Sequence, residues 1–121
     1  MREIKFRGKD AKDKWVYGYY SRSQTGMHLI DAYTQSVGCK PTFVKPETIG
    51  QFTALKDKNG TEIYEGDIVK HNDWNYNFEV VFSIQRARFV CKMATGLSHF
   101  IDNSNIAVKS NIHDNPELLE A

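Results

Sequence analysis

The fold of this chain is decided by one stretch, Leu55-Lys56-Asp57-Lys58-Asn59-Gly60-Thr61-Glu62-Ile63-Tyr64-Glu65-Gly66-Asp67-Ile68-Val69. Its Asn59-Gly60 dipeptide predicts a β-hairpin, because a type I′ turn needs positive φ at both central positions and these two residue types reach it at least cost. Gly66 predicts a second turn with positive φ. Ile68 and Val69 then begin a strand. The stretch therefore specifies antiparallel β-structure.

The segment after this stretch has the period of a β-strand. Six apolar side chains fall on one parity: Trp74, Tyr76, Phe78, Val80, Phe82 and Ile84. A helix would spread these positions around its circumference. The next segment alternates as well, with Ala87, Phe89, Cys91 and Met93 on one face and Arg86, Arg88, Val90 and Lys92 on the other. We predict two paired strands that bury their apolar faces.

The N-terminal residues alternate in the same way. Apolar and charged side chains take opposite parities: Ile4 and Phe6 against Glu3, Lys5 and Arg7. This predicts a strand with the apolar pair buried and the charged residues exposed. Residues 15–20, which are mostly aromatic or β-branched, predict the strand that pairs with it. Residues 21–48 are less regular, and Pro41 and Pro46 disfavour a long helix there.

The C-terminus has the signals of a short helix. Asn115 is a favourable N-cap, Pro116 suits the first helical position, and Glu117 places an acid in the first turn. The fold class expected from these patterns is mainly β, with a one- or two-turn helix at the end.

Composition and charge exclude several classes of protein. The 121 residues include 16 basic and 15 acidic side chains, for a net charge of +1, so no global field attracts nucleic acid or an anionic membrane. No apolar run approaches the ~20 residues that span a bilayer, and the charged N-terminus is not a signal peptide. The two cysteines, Cys39 and Cys91, are expected to be free and reduced, which indicates a cytoplasmic protein.

Catalytic, metal and cofactor sites find little support in the residue pattern. Glu65 and Asp67 flank a glycine and are better explained by the turn than by a metal ion. The four histidines are widely spaced, which does not fit the clustered pairs of a zinc site. Cys91 lies on a predicted apolar face, where thiols are inert. We therefore expect no catalytic residue, no metal and no cofactor.

Three blocks of sequence carry a resemblance to a known family. The most specific is the middle block, Pro46-Glu47-Thr48-Ile49-Gly50-Gln51-Phe52-Thr53 running into 55–60 and 63–69. The N-terminal block covers 1–8 and 15–18, and the last block covers 111–119. In this order and spacing the chain resembles the YopX family of phage and prophage proteins. It departs from the pattern at Ala54 and Ser110, where the family usually has Gly, and at His113, where it usually has Tyr.

The resemblance implies a small, mostly β, intracellular protein encoded by a phage or prophage, built from one or more small barrel-like domains with an SH3-like barrel in its C-terminal half. One domain over 1–121, and an N-terminal β subdomain (1–54) packed on a C-terminal SH3-like barrel (55–114), both stay open. It supplies no activity and no catalytic residue. The leading hypothesis is therefore a non-enzymatic interaction module that forms a homo-oligomer or binds a phage or host protein. The alternative is nucleic-acid binding: Arg86, Arg88 and Lys92 would share a strand face, and Trp74 and Tyr76 could stack bases. The balanced net charge and the predicted burial of both aromatic residues argue against it.

Overall fold

The computed structural model describes residues 3–32 and 41–119. Cys39 and part of the irregular segment 21–48 lie outside the described residues. The described chain is mainly β, as predicted, and its strands are β1 (Phe6–Lys9), β2 (Trp15–Arg22), β3 (His28–Ala32), β4 (Thr42–Phe43), β5 (Gly50–Lys56), β6 (Glu62–Tyr64), β7 (Asp67–His71), β8 (Asn77–Ser83), β9 (Arg88–Lys92), β10 (Ser98–Phe100) and β11 (Ile106–Asn111). Single 3-10 turns cover Pro46–Thr48, Asn103–Asn105 and Pro116–Leu119.

The chain divides into two compact units, Met1–Phe52 and Thr53–Ala121, and the boundary falls inside β5. In the first unit the antiparallel order is β4-β3-β2-β1, and the beginning of β5 pairs with β1. The β1–β2 register places Phe6 opposite Gly18 and Lys9 opposite Trp15. Ile30, Val44 and Phe52 are buried in this unit.

The N-terminal alternation is the reverse of the sequence prediction. Lys5 and Arg7 are buried, whereas Ile4 is 51% exposed. The Arg7 guanidinium carbon lies 4.6 Å from the centroid of the Trp15 ring, and the Lys5 ammonium lies 4.8 Å from that of Phe52. Aromatic faces attract cations, and the long aliphatic stems of these side chains pack on apolar surface. Lys5 and Arg7 therefore face aromatic rings.

The second unit begins with the β5–β6 hairpin and continues as a five-stranded antiparallel sheet, β10-β9-β8-β7-β11. Its core consists of six buried side chains: Ile63, Val69, Phe78, Val80, Cys91 and Ile106. The predicted burial of Cys91 is confirmed, and burial raises the pKa of its thiol to about 12. Among the described strands, β10 and β11 are the edges of this sheet, and no hydrogen-bonded closure into a barrel is seen.

Both predicted positive-φ glycines are confirmed, with φ of 83° at Gly60 and 91° at Gly66. The predicted type I′ turn is wrong, because positive φ outside glycine is confined, within the described residues, to Asp13, Ala54 and Ala87. The Asp57 carboxylate explains the difference: it accepts the N–H groups of both Asn59 and Thr61. An aspartate at the first position of a β-turn favours type I geometry, in which both central residues have negative φ. Gly60 then supplies the residue with positive φ that closes the hairpin.

The alternating apolar side chains from Trp74 to Ile84 are only partly buried. Phe78 and Val80 are core residues, but Phe82 is 46% and Ile84 85% exposed. The strand ends at Ser83, so Ile84 belongs to the turn before β9. At the C-terminus, where the sequence predicted a one- or two-turn helix, the structure has one 3-10 turn over Pro116–Leu119.

Candidate functional site

Two of the three basic residues predicted to share a strand face lie over one exposed ring. The guanidinium carbons of Arg86 and Arg88 lie 5.5 Å and 4.2 Å from the ring centroid of Phe100. Phe100 is 58% exposed. Arg88 is on β9 and Phe100 on the neighbouring β10, whereas Arg86 lies in the turn that precedes β9. The structure therefore brings these two arginines together around an aromatic residue that the sequence did not single out.

Lys92 lies on the same face of β9 as Arg88, but four residues further along the strand, a separation of about 13 Å. In the ladder it is opposite Glu79 on one side and Ser98 on the other. Burial raises the pKa of the Glu79 carboxyl, and the charge of Lys92 partly offsets this shift. Lys92 therefore sits beside a carboxylate and apart from the arginine pair.

The two aromatic residues of the predicted nucleic-acid site, Trp74 and Tyr76, precede β8 and belong to a different cluster. Trp74 stacks on His71 at a centroid distance of 4.1 Å and on Tyr76 at 6.2 Å. It also contacts His99 at 5.1 Å. His99 and Phe100 are consecutive residues of β10, so their side chains point to opposite faces of the sheet. The predicted site residues are thus divided among three places: the arginine pair, Lys92 and the aromatic cluster.

Apolar side chains at the end of the β8–β9 hairpin flank the arginine pair in the chain, but Phe89 and its partner Phe82 point to the opposite face of the sheet from Arg88. We call residues 82–89 the hairpin tip. Phe82 and Phe89 pair across the strands with their rings edge to face at 5.2 Å. With Ile84 in the turn, they expose apolar surface beyond the core. Alternation assigned Phe82 and Ile84 to the core because it does not reveal how far the core extends along a strand.

A third feature of the second unit was not predicted from the sequence. One groove is lined by three lysines, Lys58, Lys70 and Lys109, together with His71 and Asn72. The part of the groove that these residues line has a volume of about 210 Å³. We call this groove the lysine groove. All three lysines are exposed, and no carboxylate is among the described residues that line this part. The lysines come from a turn and two strands, so no spacing in the sequence connects them.

Two backbone features bring these lysines together. The β7–β11 register shifts between Val108 and Ser110, which makes Lys109 the extra residue of a β-bulge. Bulges redirect side chains relative to regular alternation. The Asp57 carboxylate accepts the N–H of Val108 at 2.8 Å, and the N–H of Lys58 donates to the carbonyl of Ile106 at 3.1 Å. The turn that carries Lys58 is thereby held against the strand that carries Lys109.

The electrostatics of Asp57 fit this structural role. Burial opposes ionisation of its carboxyl, but hydrogen bonds from the N–H groups of Val108, Thr61 and Asn59 outweigh burial and lower its pKa. A carboxylate that accepts several backbone N–H groups is stabilised in its charged form. Asp57 is therefore a buried anion that organises the backbone beside the groove.

The groups around His71 hold its ring in place and do not form a metal site. The ring accepts the N–H of Asp73 at Nδ1, and its Nε2 lies 3.5 Å from a carboxylate oxygen of Asp102. A hydrogen bond from Asn105 is the largest influence on the Asp102 carboxyl and lowers its pKa, burial opposes this shift, and a hydrogen bond from His71 adds to it. Across residues 3–32 and 41–119, no group of three or more His, Cys, Asp or Glu side chains is arranged to hold a metal ion.

The comparison with known families agrees with the fold and with the resemblance of the three sequence blocks. A family model described as YopX protein matches residues 5–120. The chain belongs to the YopX family. The match covers nearly all of the chain, including both units.

A solved structure supports the architecture of this YopX chain. The crystal structure of protein EF1440 from Enterococcus faecalis is similar with a TM-score of 0.60 and 25% sequence identity. The similarity covers 99% of this chain and 100% of the Enterococcus chain. No curated protein matches the sequence. The described part of the chain also contains no helix with the length and apolar character that crossing a bilayer requires.

Proposed function

We propose that this YopX protein is a non-enzymatic interaction module that self-associates through the hairpin tip and the adjoining Phe100. The observation that carries the proposal is the pair of arginines held over the exposed ring of Phe100, while the exposed Phe82 lies on the opposite face of the same hairpin. Arginine and aromatic residues are enriched among those that dominate binding energy at protein interfaces.

A second copy of the chain is the occupant that we favour. Strand β10 has three residues and is an edge of the five-stranded sheet, and it carries Phe100. Edge strands present unpaired backbone groups that can pair with another chain. Pairing along β10 would bury Phe100 and add hydrogen bonds beside it. A symmetric dimer would bring the same patch of each copy together.

We also propose the finer features that the family resemblance implies. The protein would be encoded by a phage or prophage and act in the cytoplasm of the host bacterium. The five-stranded sheet would be the curled sheet of an SH3-like barrel over 55–114, with 1–54 as an N-terminal β subdomain. A phage or host protein would be the partner if the chain does not bind itself.

Light scattering coupled to size exclusion, over micromolar concentrations, tests self-association. We expect a dimer whose population rises with concentration and falls in Ile84→Glu and Phe100→Glu. Phe43→Glu is the matched control, because Phe43 is also 58% exposed but lies on β4 of the other unit. A monomeric wild-type protein across the range would remove the proposal of self-association, as would equal loss in the control.

Nucleic-acid binding is the second candidate function, and the arginine pair is the observation that favours it. Arginine contacts with phosphates supply salt-dependent affinity, and an exposed ring can stack a base. Phe100, which lies beside Arg86 and Arg88, would take the stacking position, since Trp74 belongs to the other cluster. Binding of single- or double-stranded probes should weaken with salt and in Arg86→Ala/Arg88→Ala. Absence of any binding at low salt would retire this candidate.

A further inference from the structure

The lysine groove is the feature that points furthest beyond the proposed function. Lys70 on β7 and Lys109 on β11 line it from neighbouring strands, and Lys58 lines it from the β5–β6 turn. Neither Lys70 nor Lys109 makes an ion pair with the described residues. Like charges in one groove repel one another, and a bound anion would relieve that repulsion. The groove is therefore suited to an anionic ligand.

Beyond the lysines, the groove is lined by aromatic and apolar side chains. Lys70 and Lys109 also line the next part, which has a volume of about 390 Å³ and includes Tyr76. Tyr76 and Leu118 line a third part of about 400 Å³, which also contains Met93. Volumes of this size are typical of small-molecule sites. The groove thus runs from lysines, past an aromatic ring, to apolar side chains.

Tyr76 is held in place and remains accessible at the middle of the groove. Its ring stacks on Trp74 with an interplanar angle of 11° and meets Phe78 edge to face at 5.1 Å. It is still 41% exposed. A ring supported in this way is a suitable platform for a base, because stacking then costs little side-chain entropy.

Carboxamide groups stand next to this ring. Asn75 and Asn77 line both the second and third parts of the groove. The Asn77 side chain donates a hydrogen bond to the carbonyl of Leu118 at 2.8 Å, which holds the C-terminal 3-10 turn over the groove. Asn75 offers both a donor and an acceptor to the edge of a base.

We propose that the lysine groove binds a nucleoside phosphate, with the phosphate at Lys70 and Lys109 and the base on Tyr76. The ligand is either a free nucleotide or a nucleotide of a single-stranded nucleic acid, since both present the same phosphate and base. This inference is independent of self-association at the hairpin tip. It is also separate from nucleic-acid binding by the arginine pair, because no residue of that pair lines the groove.

Titration calorimetry and intrinsic fluorescence on the full chain at low salt test the proposal. The probes are inorganic phosphate, AMP and a short oligothymidylate. We expect saturable binding of AMP or of the oligonucleotide, tighter than that of phosphate, with quenching of Tyr76 and Trp74 fluorescence. If AMP binds as tightly as the oligonucleotide, the ligand is a free nucleotide. Tighter binding of the oligonucleotide with a steep salt dependence identifies the single strand.

Matched variants assign the binding to the groove. Lys70→Ala/Lys109→Ala should weaken binding of AMP or the oligonucleotide about tenfold or more through loss of phosphate contacts. Tyr76→Leu should remove the advantage of AMP over phosphate. The control Lys12→Ala/Lys14→Ala removes two exposed lysines from the other unit and should not change the affinity for AMP or the oligonucleotide. Melting curves confirm that every variant is folded. Phosphate binding as tight as AMP binding, equal loss in the control, or no saturable binding of either nucleotide probe would overturn the proposal.

Discussion

The carboxylate of Asp57 accepts a hydrogen bond from the backbone N–H of Val108 at 2.8 Å, although the two residues are 51 positions apart in the chain. The same side chain accepts the N–H groups of Asn59 and Thr61 within its own turn. Asp57 is only 7% exposed. One buried carboxylate therefore sets the geometry of the β5–β6 turn and holds it to the bulge of β11.

Removing this carboxylate should destabilise the protein. We expect Asp57→Ala to lower the free energy of unfolding by about 2–4 kcal/mol, because backbone donors lose their acceptor in a poorly hydrated place. Asp57→Asn keeps one acceptor oxygen and should cost less. Urea unfolding at neutral pH measures both. Equal stability of Asp57→Ala and wild type would show that the three hydrogen bonds contribute nothing.

The lowered pKa of Asp57 also predicts an acid dependence of stability. A carboxyl whose folded pKa lies below its unfolded value binds protons more weakly when folded, so it stabilises the protein above the unfolded pKa, about 3.9. That contribution is lost as the pH falls through the folded pKa. Unfolding free energies between about pH 6 and pH 2 should therefore fall less steeply in Asp57→Asn than in wild type. Asp10→Asn is the control, because its pKa is lowered mainly by the N–H of Lys14 but its carboxyl is exposed and screened.

The positive φ of Gly60 predicts which side chains that turn accepts. No heavy atom lies within 4 Å of a Cβ added at Gly60, so any cost of substitution comes from the backbone and not from a clash. We expect Gly60→Val to lower the unfolding free energy by about 1–3 kcal/mol. Gly60→Asn should cost clearly less, because asparagine tolerates the left-handed region. Equal melting temperatures of the two variants would contradict this explanation.

Ala54 occupies the left-handed region with a φ of 71°, and it stands where the family pattern has glycine. An alanine there is strained, and glycine would relieve the strain at some cost in unfolded-chain entropy. We expect Ala54→Gly to stabilise the protein by about 0.5–1 kcal/mol. Ala32→Gly, at the end of β3, should instead destabilise it by a similar amount. Thermal melts show whether each of the two variants raises or lowers the melting temperature.

Two glycines of the first unit predict different responses to an added methyl group. A Cβ at Gly18 would lie 1.8 Å from the carbonyl oxygen of Asp31, which is backbone of the paired strand. A Cβ at Gly8 would meet only the side chains of Val44 and Ile30, at 3.1–3.3 Å. We expect Gly18→Ala to cost about 3 kcal/mol or more and Gly8→Ala to stay within about 1 kcal/mol of wild type. Chemical unfolding of the two variants ranks them, and the reverse order would refute the contact explanation.

Local sequence determined the β class, the two positive-φ glycines and the burial of Cys91. These features depend on neighbours along the chain: alternation at period two, and the freedom of Gly60 and Gly66 to adopt φ values that other residues avoid. The local sequence did not determine the type of the β5–β6 turn. The Asp57 side chain competes with the preference of Asn59, and its third hydrogen bond comes from the distant Val108.

Only the tertiary structure decided which face of a strand is buried and which side chains meet. Lys5 and Arg7 turn inward because the Phe52 and Trp15 rings lie where their cations can pack, while Ile84 stays exposed because its hairpin extends past the core. The lysine groove has no pattern in the sequence at all. A turn, a strand and a bulge bring its three cations together, and such contacts follow from strand register and long-range hydrogen bonds, which a local pattern does not contain.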